Sequence, residues 1–483
     1  MKDNKILIGT ALVLLLLLTT GLSYAYFSTA VKGNDNAKDV VVNAGTLSLV
    51  YTDGPAINVQ KIKPGWTTTK TVSVKNNGTL DTAYNIVWQE LTNTILKNEL
   101  VLSATCKRLN ESGAVDGTCE SITELPVRAK RIAKNISIES GFTHEYTFTF
   151  LFKETNSSQD YNQGKEFNGL LGIEEYKDTA VYCTYDGELT QGATFTKGDF
   201  TYKYKQSLAY SGGDYDWWNM TKDGWGVAIT NRNSTNPIDA SNVCTYINNK
   251  PIVSMETMFA GTAAKVINGL ESLNTSNVTS MLYMFAYSQV TVLDVSNFDT
   301  SKVTTMSYMF SGSSVTSLDV SNFDTSNVTG MGYMLSGSKI VEIKGLENFN
   351  TSNVTFMNGM FSGIKVTTLN LNIFDTSKVT AMNNMFRNIQ MVSIDLSTFD
   401  TRNVREMNDI FNGATSLKTI YVSNRFSIDK LGSYGNSNLF KNCTNLVGGA
   451  GTKYDSNHVD SDYAHIDGGT SNPGYFTDIA DKK

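Results

Sequence analysis

The chain is short of proline (6 in 483 residues), of histidine (3) and of charge, with 18% Asp, Glu, Lys and Arg and a formal net charge of -6. Each shortage excludes something. Mild acidity without clustered Lys and Arg removes the electrostatic footprint that nucleic acid or anionic lipid requires. Three scattered histidines leave little for the acid–base work that most hydrolases recruit. The five cysteines contain no CxxC pair, which argues against a zinc or thioredoxin-type site, and no metal site is expected. HExxH, a nucleophile elbow and a phosphate-cradling glycine loop are all missing. What is plentiful is Ser, Thr, Asn, Gly and Tyr, the mixture of an uncharged, hydroxyl-rich β surface.

At the start of the chain, Lys2 and Lys5 precede an apolar run from Ile6 to about Leu18, and "SYA" follows. This order reads as a signal peptide over 1–25 with cleavage after Ala25. The alternative is an uncleaved anchor over Ile6–Leu22, nearly long enough to span a bilayer. Both readings export the rest of the chain, so its cysteines become disulfide candidates. Cys106 and Cys119 flank a hairpin-like "NESGAVDG" loop, Cys183 and Cys244 can close the middle region, and Cys443 is left to pack as a small hydrophobe.

Over residues 26–176, "TLSLVY", "TKTVSVKN", "AYNIVW" and "HEYTFTFLF" alternate apolar and polar residues, and "KPGW", "NNGTL" and "ESGF" punctuate them. Short alternating runs between turn signals predict a β-sandwich or jelly roll. Residues 177–250 form a second β-rich stretch with Tyr202 and Tyr204 in strand alternation. Its Trp217, Trp218 and Trp225 invite a carbohydrate-stacking reading, but a small core or a cap over the next region accounts for them better.

From Met255 onward one phrase recurs, as in "FDTSNVTGM" (Phe323–Met331). Its closing methionines, Met255, Met281, Met306, Met331, Met357, Met382 and Met407, are 26, 25, 25, 26, 25 and 25 residues apart. The two longer spacings coincide with "INGLESLN" and "IKGLENFN", which places the extra residue in a glycine-containing bulge. Regularity over seven copies predicts stacked coils, none of which can bury its apolar face alone. Within a unit, the spacing of Val303, Met306, Met309 and Phe310 predicts one or two helical turns. Leu318 and Val320 point inward from a strand, and Phe323, Val328 and Met331 return to the core. Asp324, Thr325, Ser326 and Asn327 read as the turn between coils. The Met-Met-Phe column reads as core packing, not as a metal or haem site. A polar column, Asp294, Asp319, Lys344, Asn370 and Asp395, flanked by Ser296, Ser321 and Ser397, lines the outward strand face, and it reads equally as the candidate ligand face or as ordinary solvation with hydrogen-bonded ladders between coils. The carboxylate-rich "DSNHVDSDYAHIDGG" near the end fits no calcium-loop spacing and reads as a solvated loop.

Two resemblances sit on these residues. The "YFS" near the cleavage site, "AGTLSL", "IKPGW", "VSVKNNGTLDTAY" and "DYNQGKEFNGLLGIEE" resemble the TasA and camelysin family over roughly residues 20–176. This implies an exported jelly-roll sandwich associated with the cell surface or matrix. Camelysin is linked to proteolysis, yet the region holds only His144 and no HExxH, so peptidase activity is not carried over. The unit "LDxSxFDTSxVTxMxxMF" resembles the BspA-type leucine-rich repeat surface proteins over about 251–423, and the tail resembles the segment that closes such arrays. That resemblance implies a leucine-rich-repeat-type solenoid with parallel strands and short helical turns, serving as a binding module without catalysis.

The expectation is therefore a mostly β, multidomain surface protein. Its parts are a signal segment (1–25), a jelly-roll-like sandwich (26–176), a β-rich linker or cap (177–250), about seven repeat coils (251–423) and a C-terminal cap (424–483). It is a secreted or cell-surface binder of an extracellular protein, matrix or host-surface ligand, with no cofactor, no nucleic acid and a membrane contact only through an uncleaved N-terminus. The alternative is a structural matrix or fibre component in which the repeats are a spacer.

Overall fold

The computed structural model describes residues 40–44, 47–54, 62–95, 98–127, 131–155, 159, 162, 165–176, 179–208, 217–220 and 222–482. The expected signal segment lies outside them. Among the described residues no helix is long and apolar enough to cross a membrane. The chain divides into two compact units, 1–178 and 179–483.

The first unit is built from β1 (Val40–Ala44), β2 (Leu47–Asp53), β3 (Thr67–Asn76), β4 (Thr82–Asn93), β5 (Leu100–Leu109), β6 (Val115–Thr118), β7 (Ile122–Pro126), β8 (Arg131–Ile138), β9 (Thr143–Phe152) and β10 (Phe167–Glu175). A seven-stranded sheet runs β1-β2-β3-β9-β5-β6, with β7 also on β5, and a three-stranded sheet runs β10-β4-β8. Strand β9 shows why the alternation matters. Every second residue, His144, Tyr146, Phe148, Phe150 and Phe152, is buried. These meet Tyr84, Ile86 and Trp88 of β4 in one apolar core. At about 25 cal/mol per Å² of apolar surface, such large side chains dominate the stabilisation of this unit.

The second unit opens with a six-stranded sheet that contains Trp225–Ile229 and Lys250–Ser254 in parallel. Trp225 is fully buried among Tyr185, Phe195 and Tyr204, so it serves as core. A disulfide joins Cys183 to Cys244. Phe200 packs edge-on against Phe259, and Ile229 donates its N–H to the carbonyl of Met258, so this sheet covers the first repeat.

From Ser254 the repeats stack in parallel. Bridges link Ser254 to Ser280, Thr305, Gly330, Phe356, Ala381 and Glu406 in turn, one residue per copy. Short parallel strands pair Ser317–Asp319 with Glu342–Lys344, and Ser393–Asp395 with Thr419–Val422. The latter pairs with Phe476–Asp478 of the terminal segment. Met306, Met309, Phe310, Leu318, Val320, Phe323, Val328 and Met331 are all buried in the stack. Phenylalanines stack along it, Phe285 on Phe310 at 5.7 Å and Phe386 on Phe411 at 5.8 Å, with Leu335 substituting in one coil.

The helical turn expected over Val303–Phe310 is a chain of tight turns instead. Tyr308 and Gly312 lie in the left-handed region, at φ 58° and 62°. Donors consequently alternate. Met306, Tyr308, Phe310 and Gly312 donate their N–H groups to the next coil, whereas Met309, Ser311 and Ser313 donate three residues back. A helix would turn the donors beyond its first turn back onto its own carbonyls and leave fewer of them to join the coils. Short helical turns occur elsewhere, as 3-10 turns at the two bulges, Leu270–Ser272 and Leu346–Asn348, after Gly269 and Gly345 at φ 77° and 90°.

The "DTSN" turn is also more than a turn. Thr325 is 1% exposed. Its hydroxyl donates to the carbonyl of Asn350 at 3.1 Å and accepts that residue's N–H at 2.7 Å. Thr275, Thr300, Thr351, Thr376 and Thr401 make the same pair of bonds to the following coil. The preceding Asp or Asn tightens the turn by accepting a backbone N–H two residues on, as Asp324 does from Ser326. Each copy of the phrase thus carries a two-way rivet to the next.

Candidate functional site

The candidate ligand face lies along one side of the stack, as its spacing requires, but its carboxylates do not converge. Each acceptor caps its own strand end. Asp294 accepts the N–H of Ser296 at 3.0 Å, Asp319 that of Ser321 at 2.9 Å, Asn370 that of Asn372 at 3.2 Å, and Asp395 that of Ser397 at 2.9 Å. Ser296 is exposed, whereas Ser321 and Ser397 are half-buried. Asp395 is also covered by Lys482, whose ammonium binds its carboxylate and lies 5.3 Å from the Tyr421 ring centroid. Burial pushes the Asp395 carboxyl up, and Lys482 with the Ser397 groups outweighs this and holds it below the usual range.

The turn-built part of each coil carries a feature that the residue pattern did not announce. Tyr283 stacks on Tyr308 with ring centroids 4.4 Å apart, and Tyr308 on Tyr333 at 4.8 Å. Burial pushes the Tyr308 hydroxyl well above its ordinary range, with Tyr283 and Tyr333 adding to the shift. Tyr287 (44% exposed) and Phe356 (53% exposed) extend the aromatic surface. The Tyr287 ring occupies the space where a side chain on Gly312 would begin, and the Tyr333 ring does so at Gly359. Ser280, Thr305, Ser307, Gly330 and Gly332 supply small, uncharged neighbours in the same runs of turns. In later coils the strip gives way to an asparagine ladder. Asn358 accepts the N–H of Asn383, and Asn383 that of Asn408, each at 2.8 Å. The signal was available in the alignment: Tyr283, Tyr308 and Tyr333 share one repeat position.

In the terminal segment, "DSNHVDSDYAHIDGG" uses its buried carboxylate internally. Asp467 accepts hydrogen bonds from the backbone of Ala450, Thr452, Gly469 and Gly474 and from the Thr452 hydroxyl. Burial alone would raise its carboxyl, but these donors hold it at about 2. Cys443 is buried and free, and burial pushes its thiol up to about 12.

A third cluster lies inside the first unit. The Tyr84 hydroxyl meets Nδ1 of His144 at 2.8 Å and the Tyr146 hydroxyl at 3.2 Å. A disulfide joins Cys106 to Cys119 beside them. Burial, with the Arg108 guanidinium, lowers the His144 imidazole to about 4, so it is neutral at neutral pH.

Comparison with known families matches both halves of the chain. Residues 253–342 and 336–446 are similar to the family described as Mycoplasma protein of unknown function, DUF285. Residues 3–99 are similar to the camelysin metallo-endopeptidase family. No curated protein matches the chain.

A metallo-endopeptidase needs a metal with an open position for water and substrate. The matched residues 3–99 contain no histidine. His144 is followed by Glu145, but Phe148 stands where a zinc-peptidase helix carries its second histidine, and the segment is strand β9. Among the described residues, Cys106, Cys119 and His144 form the one group of three metal-ligand side chains. The two cysteines are joined to each other and His144 is 3% exposed. This donor set does not fit a peptidase metal.

Proposed function

We infer that this is an exported cell-surface protein whose repeat stack serves as a rigid, non-catalytic display for an uncharged extracellular ligand. The observation that carries the reading is the tyrosine strip. Three stacked rings, with exposed Tyr287 and Phe356 and several hydroxyls and glycines in the same runs of turns, form a largely uncharged surface, and the Glu256 carboxylate bonded to Ser280 marks its first coil. Exposed aromatic anchors on a preorganised scaffold are the residues from which binding energy is built. The BspA-type repeat resemblance and the signal-like N-terminus agree with a surface location and a partner of protein, matrix or host-cell origin. Recognition then falls on the turn side of the coils, and the strand-face column of Asp294, Asp319, Asn370 and Asp395 is chiefly architectural. Among the described residues, the Cys106, Cys119 and His144 group does not fit a peptidase metal, which favours a binding role over proteolysis.

A structural role is the second reading, with the sandwich as a matrix or fibre component and the repeats as spacer. The TasA-like motifs favour it. The two separate on an array of glycans and extracellular-matrix proteins probed with the whole chain. Saturable binding that Tyr287→Ser with Phe356→Ser weakens at least tenfold supports display. An absence of binding, together with concentration-dependent polymerisation of the chain, supports the structural role.

A further inference from the structure

We propose that Cys106, Cys119 and His144 form a redox-gated site for a soft metal ion, with zinc(II) as the natural candidate. The disulfide observed here is its closed state. One ligand atom from each of the three residues lies within 4.8 Å of the other two. Tetrahedral zinc with bonds of about 2.3 Å to sulfur and about 2.0 Å to nitrogen needs ligand atoms roughly 3.5–3.8 Å apart. Cys106 lies on β5, Cys119 just beyond β6, and His144 on β9 next to β5 in the same sheet. Strand alternation puts Cys106, Tyr146 and His144 on one buried face.

The surroundings resemble those of a metal-bound imidazole. With Nδ1 engaged by the Tyr84 hydroxyl, Nε2 is the nitrogen left to coordinate. A ligand histidine is normally fixed in this way by a partner on its second nitrogen. Tyr146 in turn anchors Tyr84. Cys119 is half-buried, whereas Cys106 and His144 are buried, so an ion enters from the Cys119 side. Two thiolates with one imidazole suit zinc or copper(I) over calcium or magnesium. The ion would tie β9 to the hairpin that the disulfide already closes, as a structural staple.

The chemistry balances in two steps. A dithiol reductant gives two electrons and two protons to the disulfide, yielding two cysteine thiols and the oxidised reductant. Zinc(II) then displaces the two thiol protons and takes His144 as its third ligand. Oxidation of the two thiolates to the disulfide by an acceptor such as a thiol oxidase releases the ion.

The test uses the full chain carrying Cys183→Ser and Cys244→Ser, so that Cys106–Cys119 is its one disulfide. Cobalt(II) and zinc(II) serve as probes, before and after reduction by a phosphine. The proposal expects no uptake by the oxidised protein. After reduction it expects one cobalt per chain, with thiolate-to-cobalt charge transfer and tetrahedral visible bands, and loss of both on re-oxidation. His144→Ala should weaken binding at least tenfold. Uptake unchanged by reduction, no uptake by the reduced protein, or full affinity in His144→Ala overturns it. Should the serine or alanine variants fail to fold, the imidazole Nε2 resonance of reduced wild-type protein decides. A large shift on adding one equivalent of zinc supports the site, and an unmoved resonance refutes it.

Discussion

In the first unit a backbone N–H finds its partner across an antiparallel ladder, on a strand of unrelated sequence. In the turn runs of the stack every second N–H finds its partner one repeat further along, one residue before the matching position of the same phrase. His144 on β9, for instance, lies opposite Val74 on one side and Arg108 on the other, whereas Met306 donates to Gly330 and Met331 to Phe356. The antiparallel unit is held by one aperiodic core, so each of its buried positions is particular. The stack is held by columns, so each position is one of about seven equivalents and its failure is shared only with its neighbours. Polar residues divide along the same line. The sandwich buries particular polar clusters, one around Tyr84 and His144 and another where Glu99 accepts from Gln159 and Asn162, while the stack buries a threonine in nearly every coil.

The sharpest way to break this contrast is to remove a column ring. Phe310→Ala should cost about 3–5 kcal/mol, and hydrogen exchange should show the loss in coils neighbouring 285–335 while the sandwich is unaffected. Acid should act on the sandwich next. His144 is held near 4 against the ordinary 6.5 of an exposed histidine, so the unfolded chain binds the proton first as pH falls. The stability of that unit therefore declines from about pH 7 towards pH 4, by about 3 kcal/mol, and levels off below. Thermal melts across this range should show the slope in wild type and lose it in His144→Gln. Thr325→Val keeps the shape of the rivet and leaves the N–H and carbonyl of Asn350 without it. A cost of about 2–3 kcal/mol is expected, and a matching value at Thr300 or Thr376 would establish the equivalence of coils. Asp467 gives a smaller effect in a different window. Its carboxyl is held at about 2, so its contribution is complete above about pH 4 and is lost as pH falls through 2. Least of all, Asp294→Ala removes one exposed strand-end cap and should cost under about 1 kcal/mol.

Much of this was legible in the sequence because burial follows period. The alternation in "HEYTFTFLF" marks the inward face of β9, and the 25-residue recurrence of Met and Phe marks the buried columns. Two things were not. The spacing of Val303, Met306, Met309 and Phe310 fits a helix as well as it fits tight turns, because both bring the same side chains to one side. The choice is made by Tyr308 adopting positive φ, which tyrosine rarely does. The inward turn of Thr325 is equally silent, since a threonine between Asp and Ser reads as a solvent-facing loop residue. On the strand face, Asp294 and Asp319 each accept a backbone N–H two residues on, a role their outward position does not announce, and Tyr283, Tyr308 and Tyr333 share a repeat position within a phrase dominated by methionine.

We propose that the turn side of the stack meets the ligand. Hydrogen–deuterium exchange of the whole chain, free and saturated with the strongest binder from the glycan and matrix array, tests it most directly. The account predicts new protection in 280–287, 305–312 and 330–337, with the strands at 317–319, 342–344 and 393–395 unchanged. Protection confined to those strands, with the tyrosine-bearing turns unchanged, would contradict it.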